Sequence, residues 1–299
     1  MRGLRQGWQR AGVATLAAAV VVLTGVAAAR AQDKGPNTGR VSLSMGMDWT
    51  THYFFRGILQ EDQDFILQPY GDVTFKLLEG QGPLTNVGLT LGLWNSLHGG
   101  PTGTGGPNGD PRIWYESDFY ARLGATLFED FTAAVTYTAY MSPNGFFTTV
   151  EEIALGLAYN DSKLLGPFAL NPSVLLAFET DGQADGGLDE GVYLQLGVSP
   201  GYTFNANGAY PVTLSVPIVL GLSVSDYYER VGVGGDDDTF GYFSAGLAAG
   251  VPLKFVPAGF GAWQLKGALT YMRLGDNLEA VNNGDSSEVI ATLGVSMTY

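Results

Sequence analysis

From residue 41 to residue 299 the sequence alternates apolar and polar residues in one segment after another, and this period of two constrains the fold most. It is typical of β-strands with one apolar and one polar face, because successive side chains of a strand point to opposite sides. In the first segment, for example, Val41, Leu43, Met45, Met47 and Trp49 alternate with serine, glycine, aspartate and threonine. About twelve segments of roughly ten residues follow this pattern, which predicts an all-β chain.

The length and composition of these segments indicate a membrane barrel. A tilted strand of about ten residues crosses a bilayer, whereas no stretch after residue 31 approaches the roughly 20 apolar residues of a membrane helix. The polar faces carry glycine, serine, threonine and tyrosine but few lysines, and aromatic residues such as Trp49, Phe128 and Tyr202 lie at strand ends. We therefore expect an antiparallel, up-and-down transmembrane β-barrel of about 12 strands. The alternative is a soluble sandwich or lipocalin-like barrel, whose apolar face would point inward.

The N-terminus predicts export. Arg2, Arg5 and Arg10 precede an apolar run from Ala11 to Ala29, and Ala29-Arg30-Ala31 places small residues where a signal peptidase cleaves. We expect residues 1–31 to be a cleaved signal peptide and residues 32–299 to form a barrel in the bacterial outer membrane. The alternative is an uncleaved membrane anchor.

The charge and the absence of cysteine exclude several classes of function. The chain has 29 acidic and 15 basic residues, and loss of residues 1–31 would lower its charge from -14 to about -18. Such a chain is not expected to bind nucleic acid, which requires basic surfaces. The chain has no cysteine, so it has neither disulfides nor thiolate metal sites.

Neither a metal nor another cofactor is predicted. The segment Asp181–Glu190 begins like a calcium loop, but Val192 occupies the position of the bidentate glutamate. The run Asp236–Asp238 is interpreted as a solvated acidic loop rather than a divalent cation site, and no helix is expected after residue 31.

The lengths of the connections predict the topology. The long connections, at 98–111, 180–190, 225–238 and 274–286, all fall between strands whose order places them on the outer side. Shorter turns such as Phe128–Asp130 and Asn205–Tyr210 fall on the periplasmic side. An even number of strands also returns both termini to the periplasm.

The last strand ends on Tyr299 with an apolar residue at every second position. It resembles the C-terminal signal that the barrel-assembly machinery recognises in outer-membrane proteins, although that signal usually ends on phenylalanine. The resemblance implies that this machinery is a partner, alongside outer-membrane lipid and lipopolysaccharide. The alternative is an ordinary final strand.

Several motifs in residues 41–160 resemble the TorF-like putative porins. The first strand of that family ends in Tyr-x-Phe-Arg-Gly, which Tyr53–Gly57 matches. Further similar motifs are Gln68-Pro69, Gly92–Ser96, Glu116–Tyr120, Tyr140–Asn144 and Val150-Glu151-Glu152. The resemblance implies a porin-like barrel and names no solute.

A barrel of twelve strands is expected to have a narrow or partly plugged lumen, because eight strands are filled by side chains and sixteen leave a channel. The alternation predicts that the lumen is lined by Asp48, Arg56, Asp72, Lys76, Glu116, Asp118, Arg122, Glu152, Gln195, Lys266 and Glu288. Such charges either select small polar solutes and ions, with a mild cation preference, or form ion-paired ladders that stabilise a closed lumen.

We therefore predict passive passage of small polar solutes or ions, and no enzymatic activity. One alternative is a structural or adhesive barrel with a plugged lumen and partner-binding outer loops. A lesser alternative is a lipid hydrolase, which would need a serine beside a histidine base. The two histidines are His52, predicted near the outer rim, and His98, predicted in a glycine-rich loop.

Overall fold

A computed structural model describes residue 37 and residues 39–104, 112–208, 210–229 and 237–299. The predicted signal peptide and Asp236 lie outside these ranges. Within them, no helix has both the length and the apolar character that crossing a bilayer requires.

Strands dominate the described residues. They are β1 (Val41–Thr50), β2 (Tyr53–Phe55), β3 (Ile58–Glu61), β4 (Ile66–Glu79), β5 (Leu84–His98), β6 (Trp114–Leu127), β7 (Phe131–Met141), β8 (Val150–Tyr159), β9 (Ser173–Asp181), β10 (Val192–Val198), β11 (Gly201–Phe204), β12 (Val212–Ser215), β13 (Ile218–Ser225), β14 (Phe240–Pro252), β15 (Ala262–Leu274) and β16 (Ser287–Thr298). β11 continues β10 beyond Pro200, and β12 leads into β13 through Pro217. Proline cannot donate to a ladder, which accounts for both interruptions.

The strands other than β2 and β3 form one closed antiparallel sheet. Each wall strand pairs with the next along the chain, and β1 also pairs with β16. Leu43 and Tyr299 exchange two backbone hydrogen bonds of 2.8 Å at the closing seam. Counting β10 with β11 and β12 with β13, the wall has twelve strands, so the predicted up-and-down barrel is confirmed.

The outer face is apolar and the inner face is largely polar. Outward-facing leucines such as Leu93, Leu269 and Leu293 are 50%, 58% and 54% exposed, whereas their inward neighbours are mostly polar or glycine. A soluble barrel would show the reverse, since it buries its apolar face inside. The chain is therefore a transmembrane β-barrel, and the soluble alternative is wrong.

The two ends of the barrel differ. We call the end that holds Val41 and Tyr299 the termini end and the opposite one the loop end. Two short helices correct the expectation of none: α1 (Ser162–Leu165) lies in the β8–β9 connection at the termini end, and α2 (Asp276–Val281) in the β15–β16 connection at the loop end. The β8–β9 connection is also longer than expected for its side.

The buried core lies inside the barrel, toward the loop end. It forms where β2 and β3, which belong to the connection between β1 and β4, fold inward instead of extending away from the wall. Aromatic side chains from the wall and from other loops surround them. The core includes Tyr53, Phe55, Ile58, Ile66, Trp94, Tyr115, Tyr140, Phe147, Tyr193, Tyr227, Tyr228, Tyr242 and Leu278.

Candidate functional site

The strands β2 and β3 form a hairpin, Tyr53–Glu61, which we call the plug hairpin. Its turn residues Arg56 and Gly57 have φ angles of 46° and 87°, as required of the central residues of a tight type I′ turn. A side chain at Gly57 would meet Leu278 of α2 and Tyr242 of β14. The tip of the hairpin is therefore packed beneath α2 and against the wall.

The plug hairpin crosses the lumen. It leaves the first wall strand, β1, yet its tip residue Arg56 binds Glu152 on β8, the sixth wall strand of twelve. The guanidinium donates two hydrogen bonds to the carboxylate, of 2.7 Å from Nη1 and 2.8 Å from Nη2. Both residues are buried, with 8% and 3% of their surface exposed. The ion pair thus links nearly opposite sides of the barrel.

Tyrosines complete the surroundings of Arg56. Its Nη1 also donates to the hydroxyl of Tyr227 at 2.8 Å, and its guanidinium lies 4.2 Å from the ring centre of Tyr193. The hydroxyl of Tyr228 donates to the Arg56 carbonyl at 2.9 Å. Aromatic faces stabilise a desolvated cation. Together with Glu152, these tyrosines give the arginine partners on several sides.

A second set of contacts holds the β2 side of the plug hairpin. The hydroxyl of Tyr53 donates to Glu116 on β6 at 3.0 Å, and Glu116 in turn shares a hydrogen bond with Asp118. Tyr115, which precedes Glu116 on β6, is also wholly buried inside. Ser96 pairs with Glu116 while Leu97 pairs with Trp114, so Tyr115 is the extra residue of a β-bulge that turns it inward.

A chain of hydrogen bonds holds the β3 side. Glu61 accepts from the Thr102 hydroxyl at 2.7 Å and from three backbone N–H groups. Thr102 Oγ1 lies 2.6 Å from His98 Nδ1, and His98 Nε2 lies 2.7 Å from Ser96 Oγ. His98 was predicted in a loop, which is wrong: it ends β5 and is fully buried, as is Ser96.

The hydrogen bonds between Ser96, His98 and Thr102 bear on the hydrolase alternative. A serine hydroxyl beside a histidine is the arrangement that nucleophilic catalysis uses. Here neither Ser96 nor His98 has any exposed surface, because the plug hairpin covers both. In this conformation the pair anchors the plug, and the hydrolase stays an untested prediction.

Toward the middle of the barrel, charged residues pair along the wall. Lys266 on β15 donates to Asp48 on β1 and to the Tyr70 hydroxyl on β4, both at 2.9 Å. The Tyr120 hydroxyl on β6 donates to Asp72 at 3.3 Å. Arg122 lies close enough to Asp72 to interact electrostatically. These side chains are only partly buried.

Ten of the eleven residues predicted to line the lumen lie on wall strands, on the inner face, and Arg56 lies in the plug hairpin. The structure joins Arg56 to Glu152, Asp48 to Lys266, and Glu116 to Asp118. Asp72 and Arg122 lie near each other, as described above, and the other three members lie outside these pairs. Lys76 is exposed toward the termini end, Gln195 accepts from Tyr193, and Glu288 accepts from Asn282 at 3.4 Å.

Two further loops fold over the plug hairpin and cap each other. Asp185, in the β9–β10 loop, accepts from the Glu229 backbone N–H at 2.7 Å, and Glu229 accepts from that of Leu188 at 2.6 Å. Burial raises the pKa of Asp185 to about 6, although hydrogen bonds from backbone N–H groups oppose the shift. Asp237 of the acidic run accepts from Ser223, Asp226 and Tyr228, so this carboxylate organises its own loop.

The solved structures found by comparison with known proteins are distant, and those named here have TM-scores below 0.5. No protein-family model matches the chain, and neither does any curated protein. An outer membrane channel from Pseudomonas putida has a TM-score of 0.46 at 12% identity, covering 89% of this chain and 98% of its own. The NanC porin has a TM-score of 0.39 at 12% identity, covering 85% and 98%. The β domain of the Bordetella autotransporter BrkA has a TM-score of 0.38 at 14% identity, covering 87% and 99%.

Proposed function

We propose that this protein is an outer-membrane channel for small polar solutes or ions, and that the plug hairpin closes its loop end. The ion pair between Arg56 and Glu152 carries the proposal, because it ties the hairpin tip to the far wall. Passage then requires that this contact open. The lumen below the hairpin is lined largely by small and polar residues, which suits hydrated solutes better than lipids.

The nature of the contacts favours a movable plug over a permanent core. The plug hairpin belongs to a connection, and among the residues that the structure describes it forms no backbone ladder with the wall, since β2 and β3 pair with each other. Polar side-chain contacts to Glu152, Glu116 and Thr102 hold it in place, together with the packing of Phe55 and Ile58 in the core. A buried ion pair contributes little net stability over apolar packing, because both charges are desolvated, so such contacts can separate without unfolding the barrel.

The fixed charges set the expected selectivity of the open state. The predicted lining has six acids, and its bases on the wall are Lys76, Arg122 and Lys266. Release of the plug hairpin would also free Glu152 from Arg56. We therefore expect a mild preference for cations.

A structural barrel that never opens is the second candidate. The number of anchors favours it: the residues Arg56, Tyr53, Gln60 and Glu61 each bond to the wall or to a neighbouring loop.

The proposal also includes four parts that rest on the sequence: the export signal, the outer-membrane location, the partners expected of the Tyr299 strand and the TorF-like resemblance.

Planar-bilayer recordings of the purified mature protein test the channel. We expect the wild type to be mostly closed, and Arg56→Ala to give frequent openings with a reversal potential that indicates cation preference. Lys163→Ala is the matched control, since it breaks an exposed ion pair with Asp130 of 2.8 Å far from the lumen, and it should behave as wild type. Silence of Arg56→Ala would support the structural barrel, and anion selectivity would contradict the charge assignment.

A further inference from the structure

Several tyrosines lie flat along the inner wall, each across a glycine of the neighbouring strand. Tyr70 faces Gly46 directly in the ladder, and Tyr120 faces Gly92 in the same way. A Cβ atom at either glycine would collide with the tyrosine ring. The rings therefore extend along the wall and present a partly exposed face instead of projecting across the lumen.

The same stretch of wall holds charges that balance. Asp48 and Lys266 form one pair, and Asp72 and Arg122 lie near each other further round, with the two tyrosine hydroxyls bonded among them. We call these six residues, Asp48, Tyr70, Asp72, Tyr120, Arg122 and Lys266, the lumen track. Two acids and two bases give the lumen track no net charge.

The opposite wall is different. Below Glu152 and Glu179, the described inner-face positions of β7 to β14 carry no charged residue; they hold threonine, serine, glycine, alanine and a few larger uncharged side chains. In this part of the lumen, the charged side chains of the described residues therefore lie on one side. A solute passing through the barrel would meet them along a single strip.

Two polar atoms of the lumen track lack a partner within the described structure. They are Asp48 Oδ1, an acceptor, and Arg122 Nε, a donor, and both are buried. Gln68 Nε2, a donor beside Asp48 in the ladder, also lacks one. Buried polar groups are normally hydrogen-bonded, so a solute that draws these side chains toward the lumen would satisfy them.

We infer that the lumen track is a binding site for a neutral, hydroxyl-rich solute, that is, a small saccharide or polyol. Hydroxyl groups donate and accept at once, which suits a strip of alternating acceptors and donors. A sugar ring has an apolar C–H face that can pack on a tyrosine ring, and its lack of net charge matches that of the strip. The inference rests on the proposed channel for its purpose, but binding needs no conduction, because the residues are partly exposed with the plug hairpin in place.

Isothermal titration calorimetry on the detergent-solubilised mature protein tests this inference. The probes are D-glucose and maltotriose, with glycine as a zwitterion and potassium chloride as a salt control. We expect saturable binding of a saccharide with a Kd of about 1 mM, and stronger binding of maltotriose because it reaches both tyrosines. Tyr120→Ala should weaken binding about tenfold, since a ring face and a hydroxyl are lost together.

Tyr271→Ala is the matched control, because this tyrosine lies on the outer face of β15 and is exposed. It should bind as the wild type does, and heat-modifiable gel mobility should show that every variant is folded. Absence of saturable saccharide binding, binding of glycine alone, or equal losses in Tyr120→Ala and Tyr271→Ala would overturn the inference. Saccharide binding by a protein that never conducts would uphold this site and reject the proposed channel.

Discussion

The side chains of Arg56 and Glu152 meet through two hydrogen bonds of 2.7 and 2.8 Å. The hairpin that holds Arg56 leaves the wall at β1, whereas Glu152 lies on β8, nearly opposite. Arg56 reaches Glu152 because β2 and β3 carry it across the lumen. The pair therefore reports directly on whether the plug hairpin is in place, and several expected outcomes depend on it.

Removing one member of the pair should cost more than removing both. Arg56→Ala leaves Glu152 buried without its partner, which typically costs about 3–5 kcal/mol. The double variant Arg56→Met with Glu152→Leu should recover most of that loss, since apolar residues of similar volume avoid desolvation. Urea unfolding followed by tryptophan fluorescence measures both. Equal losses in the single and the double variant would show that the pair is not the anchor.

Release of the plug hairpin should expose the wall behind it. Ala177 is fully buried on the inner face of β9, and the chain has no cysteine of its own. Ala177→Cys should react with a water-soluble maleimide at least about tenfold faster when Arg56→Ala is also present. Thr104→Cys, at an exposed position, should label at the same rate in both backgrounds. Equal labelling of Ala177→Cys in both would place the plug hairpin elsewhere.

The tautomer of His98 follows from the bonds of its neighbours. An ionised Glu61 only accepts, so the Thr102 hydroxyl gives its proton to Glu61 and must accept from His98 Nδ1–H. Nε2 is then the acceptor for Ser96. A ¹⁵N spectrum of histidine-labelled protein at pH 7.5 should show the Nδ1–H form, and His98→Phe identifies the signal because His52 is the other histidine. Observation of the Nε2–H form would reverse the direction of the chain.

Asp185 should make the loop contacts sensitive to mild acid. Its pKa of about 6 in the folded protein exceeds the ordinary value of 3.8, so the folded loop binds the proton more tightly than the open loop does. That stabilisation is complete below about pH 4 and is lost as the pH rises through 6. Hydrogen exchange of the 182–191 loop, corrected for the intrinsic rate, should show more protection at pH 4.5 than at pH 7.5. Asp185→Asn should reduce the difference, and equal protection of the wild type at both values would contradict the assignment.

The wall could be predicted from the sequence because a strand of period two with one apolar face has only one register that keeps that face outside. The inner positions of Asp48, Asp72 and Lys266 follow from that rule. The local exception is Tyr115, where an inserted residue reverses the side, and alternation alone gives no sign of such a bulge. The two short helices were missed because neither is long enough to show a helical period.

The plug could not be predicted because its contacts join residues that the pattern treats separately. Arg56 and Glu152 are 96 positions apart, and Ser96 and Glu61 are linked only through Thr102 and His98. One signal was present: Tyr53 and Phe55 before Arg56-Gly57, with Ile58 after it, alternate like short strands around a turn. The predicted partly plugged lumen is compatible with this hairpin, but nothing in the alternation places it inside.

Excision of the plug hairpin tests the central claim most directly. Residues 52–64 are replaced by a short glycine-serine link between β1 and β4, which leaves every wall strand intact. In planar bilayers this variant should show a stable, stepwise conductance that the wild type lacks, with the folded barrel verified by gel mobility. A folded variant that remains as silent as the wild type would contradict the proposal that this hairpin closes a channel.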